Sequence, residues 1–300
     1  MVTLGIVANP EIVPPAQVLA LARAADTAGI EEMWLWEDCF KESAIASAGA
    51  ILGATERLRV GLGVLPVPLR NVALTAMEVA TLAGMFPGRL VPGLGHGVQD
   101  WMGQVGARVG SPLTLLREQV EALRALLRGE RVTVDGRYVQ LADVALDWPP
   151  ASAPPVLAAG QGPKTLHLVG QVADGVVLAG TPTPDEVRRA LAIVAEGRAS
   201  VGRSGPVAAC VTVVVPPAGP LPWRRGDRGV PARLGGRGCD VDAGAPDRRR
   251  PVARGRLARD GGAAAVGMTR RRVSPAARRP TRRCPGSGRG CRSSGPIPTR

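Results

Sequence analysis

Leu58-Arg59-Val60-Gly61-Leu62-Gly63-Val64-Leu65-Pro66-Val67-Pro68-Leu69-Arg70-Asn71 is the stretch whose reading decides the fold. Residues 58–65 are almost continuously apolar, which predicts a parallel strand buried on both faces. Glycines at 61 and 63 stand where another backbone must come close. Pro66 and Pro68 are expected to stop the strand, and Asn71 to open a helix over 72–83. Strand, short loop and helix make one βα unit.

The same unit repeats on either side. Towards the N-terminus, residues 2–8 read as a strand and Pro15 to Ala28 as a helix ended by Gly29. Met33-Trp34-Leu35-Trp36 is a second strand, running into Glu37-Asp38-Cys39. A short helix follows over 43–52, closed by Gly53. Towards the C-terminus, Phe86-Pro87-Gly88-Arg89 is a turn. Leu90 to Leu94 is a strand weakened by Pro92, which lacks the N–H that a ladder needs. It leads into Gly95-His96-Gly97. Residues 112–127 form an amphipathic helix, with Leu113, Leu115, Leu116, Val120, Leu123, Leu126 and Leu127 on one stripe. Residues 131–141 alternate and turn at Asp135-Gly136, a hairpin inserted into the pattern. Strands over 155–159, 174–178 and 207–215 then alternate with helices beginning near Lys164 and Pro184. Seven strands in strict alternation with helices predict an α/β fold. The expected form is a (β/α)8 barrel of the TIM type, incomplete at its C-terminus.

Charge divides the chain in two. Residues 1–218 hold 17 Lys and Arg against 20 Asp and Glu, while residues 219–300 hold 21 Arg against 5 Asp. The formal charge of +13 therefore belongs to the tail. In 219–300, Arg, Gly, Pro and Ala make up 56 of 82 residues, and no apolar period survives. The expected division is a barrel domain over 1–217 and a basic tail over 218–300. Three readings of the tail stand: a nucleic-acid or membrane arm, a disordered linker, or a GC-rich gene read out of frame. The third is preferred, because those four residues are the ones encoded by codons with only G or C in the first two positions. Interleaved aromatics and Lys, which nucleic-acid binding favours, are missing but for Trp223.

No basic leader precedes the first apolar run, and no stretch reaches the ~18 apolar residues of a membrane span. Five cysteines (39, 210, 239, 284 and 291) form no CxxC pair. A cytoplasmic chain with reduced thiols, no membrane association and no metal site is expected.

In a barrel of this kind the active site lies at the carboxyl ends of the strands. Those ends carry Asn9, Glu37-Asp38-Cys39, Gly63-Val64, Gly95-His96-Gly97, Gly160-Gln161-Gly162 and Gly180-Thr181. The body resembles the luciferase-like monooxygenase superfamily, in particular its branch dependent on the deazaflavin coenzyme F420. The resemblance is carried by six motifs in the family's order. They are residues 34–40 (WLWEDCF), 55–64 (TERLRVGLGV), 86–89 (FPGR), 93–97 (GLGHG), 112–118 (PLTLLRE) and 173–177 (ADGVV).

The resemblance implies a flavin-like ring system across the barrel mouth and a non-proline cis peptide at Gly63-Val64 supporting it. Read without the resemblance, Gly63 only lets the strand pack tightly. The resemblance also implies a site for the cofactor's tail at Ala159, Gly160, Gln161 and Gly162, extending to Gly180 and Thr181. On the residues alone, Gly160-Gln161-Gly162-Pro163-Lys164 reads equally as an anion cradle at a helix start or as an ordinary glycine turn.

The candidate proton-transfer residues are Asp38, Cys39 and His96. Many relatives have an acid followed by His where this chain has Asp38 and Cys39, so His96 becomes the candidate general acid or base. His96 also reads as a plain hydrogen-bonding rim residue. Some relatives carry Glu where Val98 stands here, so sugar-phosphate dehydrogenase chemistry is not expected. His167 reads as structural, and Trp34, Trp36 and Trp101 as packing. The glycines of 93–97 do not make a dinucleotide fingerprint, since no helix is expected to start at once after them.

The expected function is hydride transfer between F420 and a small organic substrate, with an F420 or flavin reductase and a second copy of the chain as partners. The alternatives are an FMN-dependent two-component monooxygenase, an inactive truncated barrel, and a non-catalytic binder acting through its basic tail.

Overall fold

The structure is a computed structural model that describes residues 3–205 and 207–212. Its strands are β1 (Gly5–Ala8), β2 (Glu32–Leu35), β3 (Arg59–Leu62), β4 (Leu65–Pro66), β5 (Leu90–Val91), β6 (Gly93–Gly95), β7 (Val132–Asp135), β8 (Gln140–Val144), β9 (Leu157–Ala159), β10 (Gly175–Leu178) and β11 (Ala208–Val211). Its helices are α1 (Pro15–Thr27), α2 (Ala44–Ala54), α3 (Val72–Met85), α4 (Gln99–Gln104), α5 (Pro112–Leu127), α6 (Pro163–Val172) and α7 (Pro184–Ser200).

Two parallel sheets share two segments of chain. One sheet has the order β1-β2-β3-β5 and the other β11-β10-β9-β6-β4. Residues 59–66 supply β3 to the first and β4 to the second; residues 90–95 supply β5 and β6 in the same way. The strand segments thus succeed one another in chain order, and every pairing among them is parallel. Their carboxyl ends fall on one side. The hairpin β7-β8 is antiparallel and separate, as its alternation predicts.

Two expected strands are divided. The stretch over 58–65 breaks at the cis peptide bond between Gly63 and Val64, and Pro66 is kept within the second piece. The strand over 90–94 breaks at Pro92, whose free carbonyl accepts from Leu157 N at 2.8 Å. Helix α2 runs past Gly53 to Ala54, and the first strand begins at Gly5 rather than residue 2. A short helix, α4, starts two residues after Gly97, where none was expected; its six residues are too few for a period to show. The end of the expected strand over 207–215, and the tail over 218–300 with its three readings, lie outside the described residues.

The core follows the pattern. Leu115, Leu116, Val120, Leu123, Leu126 and Leu127 of α5 are buried, each contributing about 2 kcal/mol by leaving water. On the other side of the strands, Trp34, Val91, Leu157 and Val177 form a second cluster, joined by Val7, Val64, Ala159 and Cys210. Strands β1, β2, β5, β9, β10 and β11 each send at least one side chain into that cluster, and Val64 joins it from the break between β3 and β4. A Cβ at Gly61 would overlap the Trp34 indole, and one at Gly63 would meet its Cε3 at 3.0 Å. The glycines of the opening stretch are thus the space in which Trp34 lies. Burial raises the Cys210 thiol to about 12, helped by the charge of Glu32 on β2.

Candidate active site

Five segments leave the carboxyl ends of the strands and carry the candidate residues. The first follows β2. Its two adjacent acids, both just beyond the strand, part company. Glu37 turns to Arg70, whose Nη2 donates to its Oε1 at 2.8 Å and its Oε2 at 3.0 Å. The same carboxylate accepts from Ala44 N at 2.9 Å, at the start of α2. Asp38 is left half-buried, and among the described residues no side-chain hydrogen bond holds its carboxylate. Burial, then the charge of Glu11, pushes its carboxyl above the ordinary value, with Lys41 opposing. Burial also raises Cys39, followed by the charges of Asp38 and Glu37. The Cys39 sulfur is therefore a neutral thiol at neutral pH, not a thiolate nucleophile.

Phe40 follows with φ of 70°, in the left-handed region that a bulky residue rarely enters. Glu42 was missed by the sequence reading: both its carboxyl oxygens are buried with no hydrogen-bond partner among the described residues, and burial raises its carboxyl. Nothing in its sequence neighbourhood distinguishes it from a solvated acid before a helix.

The second segment is the break in 59–66. The peptide between Gly63 and Val64 is cis, at the position the resemblance indicated. Gly63 N donates to Leu35 O at 2.8 Å, which fixes the break against the end of β2. The Val64 side chain lies where a Cβ on Gly95 would be, and that Cβ would stand 3.6 Å from Ala159. Gly63, Val64 and Ala159 thus come together around Trp34 and Val177.

The third segment follows β6. His96 is half-buried; burial lowers its imidazole and the Pro112 carbonyl opposes this. Its Nδ1 is buried without a hydrogen-bond partner among the described residues. The imidazole is neutral near pH 7, with a ring nitrogen available to a proton. Trp101, on α4, is half-buried beside this segment.

The fourth and fifth segments follow β9 and β10. Gly162 is the N-cap of α6 and provides no side-chain cap; Pro163 takes the first helical position. The first-turn N–H groups of α6 therefore lack a capping acceptor. Lys164 is exposed beside them, as are Gln161 and Gly162, and a Cβ at Gly162 would meet nothing within 4 Å. Gly160 packs closely, with Thr165 Cγ2 at 3.1 Å from its notional Cβ. Gly180 and Thr181 both have positive φ, 91° and 57°, and Thr181 N donates to Thr212 O at 3.2 Å. The start of α7 differs from that of α6: Thr183 and Glu186 close it with a reciprocal capping box.

The structure gathers Gly63, Val64 and Ala159 directly, and sets Asp38, Cys39, His96, Gly160–Gly162 and Gly180–Thr181 on the same side of the sheets. No direct bond joins Asp38, Cys39 or His96 to one another among the described residues. His167 sits on α6, where its backbone carbonyl packs against Gly197 of α7, consistent with a structural part. A cavity of about 340 Å³ lies between residues 67–72, α5 and the hairpin; its lining includes Arg70, Gln119 and Tyr138 and none of the candidate residues. Among the described residues no cluster of His, Cys, Asp or Glu could hold a metal ion, and no helix is long and apolar enough to cross a membrane.

The family model described as luciferase-like monooxygenase matches residues 3–218. The chain belongs to this family. Within the family's reach, the chain is 30% identical over 196 residues to a 5,10-methylenetetrahydromethanopterin reductase of Methanolobus tindarius. That match covers 64% of this chain and 60% of the relative. It is 31% identical over 193 residues to an F420-dependent glucose-6-phosphate dehydrogenase of Beutenbergia cavernae, covering 59% and 56%. The matched part thus spans about three-fifths of the length of these relatives. Among solved structures, an F420-dependent secondary alcohol dehydrogenase in complex with an F420-acetone adduct superposes with a TM-score of 0.64 at 25% identity. This superposition covers 70% of this chain and 68% of that one.

Proposed function

We propose that the chain is an F420-dependent oxidoreductase acting on a small organic molecule, built on a TIM-type (β/α)8 framework whose body spans residues 1–217. The framework reading rests on the sequential parallel order of the strands and on the inner cluster that β1, β2, β5, β9, β10 and β11 feed. The observation that carries the function is the uncapped, glycine-bordered, Lys164-bearing start of α6. It lies at the same end of the sheets as the Asp38–Cys39 segment. F420 is proposed as the cofactor because relatives named above are F420-dependent.

The residues fit such a group. Gly162 and Gly180 leave open space where side chains would stand, and the first turn of α6 offers unpaired N–H groups to an anion. Ala159, Gly160, Gln161, Gly162, Gly180 and Thr181 would hold the cofactor's anionic tail, and Gly63 and Val64 its ring system. When bound, the deazaflavin supplies hydride chemistry.

The chain's own part is orientation and proton handling. His96 Nδ1 is positioned to take a proton, since its imidazole is held neutral. Asp38 is held toward its protonated form by burial and Glu11, and Cys39 presents an S–H donor beside it. With Cys39 in place of the imidazole found in many relatives, this segment donates weakly, and His96 carries the acid–base work.

Titration of the full chain with F420 and with FMN tests the proposal. F420 is expected to bind and FMN to bind at least tenfold more weakly. Tight FMN binding with no response to F420 would overturn the reading in favour of a flavin monooxygenase.

A further inference from the structure

We infer that Arg70, which nothing in the family match singles out, is a positioning residue that holds the Asp38–Glu42 segment over the candidate site. This rests on the functional reading above. Arg70 sits just past β4, 33 residues from Glu37 in sequence. Its guanidinium forks onto both oxygens of Glu37 and reaches Glu78 Oε2 on α3 at 2.7 Å through Nη1. Its backbone carbonyl accepts from Gln119 Nε2 of α5 at 3.0 Å, and Gln119 is buried. The side chains of Arg70 and Glu37 are only 12% and 10% exposed. Arg70 is thus fixed from two helices, and through Glu37 it fixes the chain after β2.

That chain has little else to hold it. Between the end of β2 and α2, Lys41 N donates to Asp38 O within the segment, and Ser43 caps α2. The remaining side-chain bond, from Ala44 N, goes to Glu37 itself. Among the described residues, the Glu37–Arg70 fork is therefore the one side-chain bond tying the segment to another part of the fold. Its cargo is the half-buried Asp38, the Cys39 thiol, the left-handed Phe40 and the unpartnered Glu42 carboxyl. A planar fork on a carboxylate fixes direction as well as distance, which a lysine ammonium does not.

If Arg70 were merely a stabilising ion pair, its two carboxylate partners would be interchangeable. If it positions the segment, only the bond to Glu37 matters there. The test compares the full-length chain with Arg70→Lys, Glu37→Gln and Glu78→Gln by hydrogen exchange of peptides covering 36–44, 112–127 and 157–172. Arg70→Lys and Glu37→Gln are expected to speed exchange over 36–44 by tenfold or more and to leave the other peptides within twofold. Glu78→Gln should leave 36–44 within twofold.

A second readout is alkylation of Cys39 against pH, followed on its own peptide by mass spectrometry. In Arg70→Lys the charge is kept and burial is relieved, so the reaction midpoint should move to lower pH. Exchange over 36–44 unchanged in both tether variants, or accelerated equally by Glu78→Gln, would overturn the inference. So would a Cys39 profile that coincides with the wild type in Arg70→Lys. Added F420 separates this from the functional reading. Protection of Cys39 by F420 in the wild type supports both; a segment released by Arg70→Lys with no F420 protection leaves the tether standing and removes the deazaflavin.

Discussion

The segments after β2 and after β9 leave the same end of the sheets and are built on opposite principles. The first is acidic, half-buried and tied from outside by Arg70. The second is glycine-rich, exposed from Gln161 onward and basic at Lys164, with no side-chain tether from another element among the described residues. A site that must orient a proton needs fixed direction, which comes from a charged fork and burial. A site that must accept a long anion needs bare N–H groups and room, which come from glycine and a missing cap. The two starts of α6 and α7 sharpen the point. Both begin with proline, and both follow a parallel strand, yet α7 is closed by Thr183 and Glu186 while α6 is left open.

The largest effect should come from breaking the tied segment. Arg70→Met leaves Glu37 and Glu78 as partly buried carboxylates without a cation, and should cost about 3 kcal/mol in urea unfolding. Next is closing the open segment. Gly162→Asp has the extended backbone a cap requires and meets no neighbouring atom. It should stabilise the fold by a few tenths of a kcal/mol, and weaken F420 binding by roughly tenfold, ~1.4 kcal/mol, by placing a negative charge in the cradle.

Thr183→Ala removes the cap of α7 and should cost about 1 kcal/mol in thermal or urea unfolding while F420 affinity stays within twofold. If α7 rather than α6 receives the anion, Thr183→Ala will move affinity and Gly162→Asp will not. The smallest effect concerns pH. An aspartate whose folded value is raised binds more protons folded than unfolded, so it destabilises the fold as pH climbs from 3.8 through the raised value. Asp38→Asn should therefore match the wild type in stability below about pH 3.8 and exceed it at pH 7.

Much of the framework was legible in the sequence because burial imposes a period. The α5 stripe, the parallel strands and the hairpin all follow from spacing; Gly61 and Gly63 announce a close approach, but of a backbone, where the structure places the Trp34 indole. The breaks at Gly63-Val64 and Pro92 are a different matter. Pro92 warns of a lost hydrogen bond but does not say that one strand will serve two sheets. The cis bond was reachable only through resemblance to relatives.

The site was legible where it is made of glycines and termini, since Gly160–Lys164 carries its own local signature. It was not legible where it depends on distant pairs. Nothing near Arg70 points to Glu37, and nothing near Glu42 tells of an unpartnered carboxyl. These are set by tertiary packing, which adjacent residues do not encode.

The most direct test of the account is F420 titration of the full chain beside Gly162→Asp, following the cofactor's own fluorescence. The account predicts saturable binding to the wild type, with an affinity at least tenfold weaker in the variant although the variant is the more stable protein. Equal affinity in the two proteins, or no binding to either, would contradict the assignment of the α6 start as the cofactor's anionic site.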